Sequence, residues 1–181
     1  LGWVTLSGAL QLVVVRRAAR EQRLRPGERE GDDQFDRVVA NPPWNQKKWS
    51  KEWVQENEPY NRFPNGLPPS NRGDWAWIQL MIASLSEQGK AGIVMDNGVL
   101  FRSRGEKKIR KPFLEDDLIE AVITLPEKLF YNTDSPGAIL IFNKSKPERM
   151  KEKVQFIYAE EQVLRESGAK IYEELSNQNR L

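Results

Sequence analysis

Two kinds of periodicity organise this chain. Short apolar runs with β-branched character recur at Phe35–Ala40, Ala91–Met95, Ile119–Leu125 and Ala138–Phe142, each ended by Asn, Asp, Pro or Gly, and these predict buried strands. Between the first two, Trp75, Trp77, Ile78, Leu80, Met81, Ile82 and Leu85 fall at helical spacing, which predicts a helix with Asp74 as N-cap and Gly89 as its stop. A second, short helix is expected from Pro112 to Asp117. The last two core strands are close enough in sequence for an antiparallel pair. Strand, helix, strand, helix and a closing hairpin make an α/β sheet with an antiparallel strand at its end.

The flanks read differently. Residues 1–34 join an apolar start (Leu10, Leu12 to Val15) to a run of arginines and then Pro26 and Gly27, and take no clear assignment. Residues 45–74 are polar and proline-rich but carry Trp49, Trp53, Tyr60 and Phe63; a connection of that length is commonly functional. Val154–Tyr158 predicts a further strand, and the charged tail to Leu181 looks partly helical. The expected organisation is thus a segment 1–34, a folded unit 35–145 and a charged extension 146–181.

Composition removes several chemistries. The 181 residues contain no Cys and no His, which excludes disulfides, thiolate nucleophiles, an imidazole base and histidine-ligated metal. A net charge of +2 announces no nucleic acid by itself. No apolar run reaches the ~20 residues that span a bilayer, and no secretory layout is visible, so a cytoplasmic protein without membrane contact is expected.

The sharpest chemical signal is Asn41-Pro42-Pro43-Trp44 directly after the first core strand. An amino group conjugated to a ring, such as adenine N6, is a poor nucleophile because its lone pair is delocalised. The Asn41 side-chain carbonyl and the Pro42 backbone carbonyl can each accept one of its N–H groups and draw the nitrogen toward tetrahedral geometry. Pro43 restricts residue 42 to extended backbone and so aims its carbonyl. Trp44 offers a face on which a base can stack, worth ~1–3 kcal/mol. A rigid turn at a strand end is the plainer use of the same residues. A basic stretch, with Arg104, Lys107, Lys108 and Arg110 as candidate phosphate contacts, leaves the carboxyl end of the second core strand, where open α/β sheets place ligands; a solvated helix start is its plainer reading.

The ordered series Asn41 to Trp44, Gly73 to Gln79, Gly92 to Leu100, Ile109 to Lys111, Asp117 to Pro126, Leu129 to Thr133 and Asn177 to Leu181 resembles the modification subunit of type I restriction-modification systems. These are N6-adenine DNA methyltransferases that use S-adenosylmethionine. The resemblance implies a partial Rossmann-like methyltransferase sheet, adenine bound by Asn41 and Pro42, and Pro43 and Trp44 against the flipped base. It also implies Phe130 as an aromatic packing from another side. Implied partners are double-stranded DNA and the specificity and restriction subunits. The family's glycine-rich cofactor loop and ribose-binding acid are missing upstream of the tetrad. The expectation is therefore a fragment or split half that carries the substrate side, with a further chain supplying the cofactor half. A catalytically silent DNA-binding or subunit-interaction module and a protein glutamine N-methyltransferase are the alternatives.

Overall fold

A computed structural model describes the backbone of Val13–Arg16 together with residues 34–103, 105–130 and 133–159. The elements in chain order are β1 (Val13–Arg16), β2 (Phe35–Ala40), α1 (Lys51–Asn57), α2 (Asp74–Ala83), β3 (Leu85–Asp96), α3 (Gly105–Glu115), β4 (Ile119–Thr124), β5 (Gly137–Asn143) and β6 (Gln155–Tyr158). One mixed sheet runs in the order β1-β2-β3-β5-β4-β6. β2 and β3 are parallel, β5 is antiparallel to both β3 and β4, β4 and β6 are parallel, and β1 pairs antiparallel with β2. The carboxyl ends of β2, β3 and β4 and the start of β5 therefore lie along one edge.

One face of the sheet holds the core. Val38, Ala40, Ala91, Ile93, Met95, Ala138, Leu140 and Phe142 alternate inward along their strands and are buried. Trp75 and Ile78 of α2 and Ile109 and Phe113 of α3 close over that face. Phe113 sits between the rings of Trp75 (centroids 5.4 Å apart) and Phe142 (5.8 Å), so the two helices and the sheet share one aromatic seam. Such pairs contribute about 0.5–1.5 kcal/mol beyond the area they bury.

Four sequence expectations are corrected. Gly73, not Asp74, occupies the cap position of α2, because the Asp74 side chain is drawn to Asn45 and Arg102 instead. Gly89 does not stop that helix; it lies inside β3, where the pairing with β2 jumps from Phe35↔Leu85 to Arg37↔Lys90. A Cβ on Gly89 would come within 2.9 Å of both the Leu85 Cβ and the Phe35 carbonyl oxygen, a close approach that glycine permits inside a bulge. The helix expected from Pro112 begins at Gly105 and contains Pro112, three residues before its end. Finally, residues 45–74 are not all loop, since α1 forms there with no buried residue. The tail beyond residue 159 lies outside the described residues, as does most of 1–34.

Candidate functional site for a planar amino group

The tetrad stands where β2 ends. Pro42 is buried and Asn41, Pro43 and Trp44 are half-buried. The Trp44 indole N–H donates to the Val94 carbonyl of β3 at 3.2 Å, which fixes the ring across the ends of the two parallel strands. Among the described residues nothing hydrogen-bonds the Asn41 side chain. Its amide carbonyl is thus available for an incoming donor.

Phe130, from the segment after β4, meets Trp44 edge to face, with centroids 4.6 Å apart and planes at 73°. The structure thus brings together two aromatics 86 positions apart in the chain. Gly137, the first residue of β5, makes room for them: a Cβ there would lie 2.8 Å from Phe130 Cε2 and 3.0 Å from Trp44 Cη2. Gly137→Ala is therefore expected to push the ring pair apart and cost about 1–3 kcal/mol, the usual range for overpacking. An unchanged thermal midpoint would show that the rings move aside freely.

What holds the tetrad's aim was not legible as a site in the sequence. Asn45 has a left-handed backbone (φ 52°), so the chain turns sharply just after Trp44. Its N–H donates to Asp74 Oδ1 at 2.6 Å. Its side-chain oxygen accepts from Arg72 at 2.7 Å and from Arg102 at 2.6 Å. Arg102 also donates to Asp74 Oδ2 at 2.6 Å and to Asp96 Oδ1, and lies 3.5 Å from Glu106 Oε1. One guanidinium therefore ties the turn after the tetrad, the first turn of α2, the end of β3 and the start of α3. Gly98 belongs to this knot: its N–H donates to Asp96 Oδ1 at 2.9 Å, and a Cβ on it would fall on the Arg102 guanidinium. The available signal was chemical: buried acids such as Asp74 and Asp96 require a cation, and Arg102 stands six residues past the strand end.

The charges in this knot are uneven. Burial pushes the Asp74 carboxyl above its ordinary range, against the Arg102 guanidinium and the Asn45 N–H, which lower it. Glu106 is also pushed up, chiefly by burial, and its Oε1 accepts no hydrogen bond. A carboxyl raised in the folded state binds more protons folded than unfolded, so its contribution is present below the ordinary value of 4.5 and is lost as pH rises through the folded value. Glu106→Gln should therefore raise the thermal midpoint at neutral pH and flatten its decline above pH 4.5. An identical pH profile in wild type and variant would contradict this.

The basic stretch divides. Lys107 and Lys108 are exposed on α3. Arg110 is half-buried and donates to the backbone carbonyls of Val99 (2.9 Å) and Arg102 (3.1 Å), so it braces the connection into α3. Arg104 lies outside the described residues. Among the described residues, no group of three or more His, Cys, Asp or Glu is placed to hold a metal ion, and no helix is long and apolar enough to cross a membrane.

The described residues do not fit the cofactor side. On the side of β2 away from β3 stands β1, which runs antiparallel to it, and no glycine-rich loop after a parallel strand is found among them.

Comparison with known proteins shows the family of the chain. The chain is 49% identical over 150 residues to the type I restriction enzyme MjaVIII methylase subunit of Methanocaldococcus jannaschii, covering 82% of this chain and 26% of that protein. It is 34% identical over 145 residues to the HindI methylase subunit of Haemophilus influenzae, covering 76% and 32% respectively. Among solved structures, a type I restriction-modification methyltransferase subunit from Streptococcus thermophilus superposes with a TM-score of 0.66 at 28% identity, over 82% of this chain and 32% of that one. An S-adenosylmethionine-dependent methyltransferase from Listeria monocytogenes shares the fold, with a TM-score of 0.54 at 17% identity. The chain thus spans about a quarter to a third of the length of these relatives. The N-6 DNA Methylase pattern matches residues 16–180, and the chain belongs to that family.

Proposed function

We propose that this chain supplies the target-base side of a type I restriction-modification methyltransferase that methylates adenine N6 in DNA. The observation that carries the reading is Asn41-Pro42-Pro43-Trp44 at the end of β2 with Phe130 edge-on against Trp44. A flipped adenine stacks on Trp44, with Pro43 and Phe130 bounding it, and gives its two amino N–H groups to the Asn41 and Pro42 carbonyls. Stacking offsets part of the few kcal/mol that unpairing a base costs. No tuned general base is required, because orientation and polarisation of the amino group are the protein's task.

S-adenosylmethionine is the donor that the family's chemistry requires, and it supplies an already activated methyl group. The described residues serve the target, not the donor, so a further chain or segment would hold it. Double-stranded DNA and the specificity and restriction subunits are the remaining partners, in the cytoplasm where cellular DNA is modified. Lys107, Lys108, Arg110 and Arg104 are proposed phosphate contacts, Arg110 through whatever donors its two carbonyl bonds leave over.

The experiment is a fluorescence titration of the chain with DNA carrying 2-aminopurine in place of adenine. Wild type should change the probe's fluorescence by stacking, and Trp44→Ala should abolish the change and weaken binding about tenfold. An equal response in Trp44→Ala would remove the base from this site.

A further inference from the structure

Beside the ring pair lies an open polar cleft of about 690 Å³. It is lined by Asn45, the residue after Trp44, and by Pro136, the residue before Gly137, so two of its lining residues are chain neighbours of the ring pair and of the glycine that makes room for it. Asn97 also lines it, and its N–H donates to the Pro136 carbonyl at 3.1 Å, which joins the loop after β3 to the loop before β5.

Three kinds of side chain line this cleft with capacity to spare. Phe101 stands on its rim with 70% of its surface exposed, although it follows a buried turn. Lys47 is exposed, and the half-buried Arg72 donates from its guanidinium to the neutral Asn45 oxygen while its charge also favours the Glu106 carboxylate. Asn71 and Asn97 add side-chain amides, which can both donate and accept. The cleft's one acid, Asp96, is already engaged by Arg102 and the Gly98 N–H.

From these we propose that the cleft is a second nucleotide site, which takes the neighbour of the target adenine on the same strand. The neighbour's base stacks on Phe101, its edge meets the Asn71 and Asn97 amides, and its phosphate lies against Lys47 and Arg72. The proposal rests on the target-base reading above. A flat apolar platform, amides and cations within one cleft match the three parts of a nucleotide that single-strand binders engage. Holding the neighbour would also keep the strand from closing back over the flipped base.

The test uses the full chain and single-stranded dT oligonucleotides with one adenine, in which 2-aminopurine replaces either that adenine or its immediate neighbour. Phe101→Ala is expected to weaken binding about tenfold and to remove the fluorescence change at the neighbour position while leaving the change at the target position. Lys47→Gln, an exposed substitution that leaves the fold alone, is expected to lower the slope of log affinity against log salt by about 0.7. If the target probe responds but the neighbour probe is the same in wild type and Phe101→Ala, the second site is overturned and the target-base reading stands. If neither probe responds to wild type, both readings fall.

Discussion

Asn41→Ala is expected to lower methyl transfer by on the order of a hundredfold or more in the assembled enzyme, with DNA affinity nearly unchanged. The magnitude follows from what preorganised dipoles aimed at developing charge contribute when one is removed. Asn41 is half-buried at the end of β2, and among the described residues nothing else hydrogen-bonds its side chain, so the substitution deletes an acceptor without orphaning a partner. In the proposed function, binding to DNA draws on the stacking face of Trp44 and on cations elsewhere, which the substitution leaves in place. Radiolabel transfer and an electrophoretic binding assay on the same preparation separate the two. Parallel losses of transfer and affinity would mean that Asn41 holds the DNA rather than polarising its amino group.

Arg102→Met is expected to be the most destabilising single change in the described residues, at about 3–5 kcal/mol, because it strands buried carboxylates without their cation. Asp74 is fully buried, Glu106 is 3% exposed and Asp96 7%, and all three face the Arg102 guanidinium. Against a typical domain stability of about 5–15 kcal/mol, the loss would be visible in any urea titration. Adding Asp74→Asn and Glu106→Gln to Arg102→Met should recover part of it, since neutral groups need no cation. A single variant within about 0.5 kcal/mol of wild type, the range of an ordinary surface substitution, would show that the knot does not hold the fold.

β2, β4 and β5 were legible because each is a short apolar run with a clear stop, and they fall within a residue of the expected bounds, whereas β3 begins at Leu85, six residues before the apolar run that announces it. Element ends that depend on distant contacts were not. Gly89 looks like a helix stop in sequence, but what requires a glycine there is the bulge that brings Leu85 and the Phe35 backbone, 54 positions away, against it. α3 was hidden by its charge and by Pro112; its inward face needs only Glu106, Ile109 and Phe113. α1 buries nothing and so leaves no periodic trace.

The proposed site divides along the same line. Asn41 to Trp44 could be read locally because their chemistry depends on adjacent residues. Phe130 could be placed only by resemblance, and its contact with Trp44 is a product of the sheet order. The Asn45, Asp74, Asp96 and Arg102 knot escaped notice because each member has an ordinary local use: a turn, a helix cap, a strand end and a surface charge. Only tertiary structure shows that one guanidinium serves all of them.

The most direct measurement of the central claim is the chemical position of the transferred methyl group. The assembled enzyme containing this chain is incubated with DNA and methyl-labelled S-adenosylmethionine, the DNA is digested, and the nucleosides and the protein are analysed by mass spectrometry. The account predicts label in N6-methyldeoxyadenosine, lost in Asn41→Ala. Label in 5-methyldeoxycytidine or in a protein glutamine, or N6-methyladenine undiminished by Asn41→Ala, would contradict it.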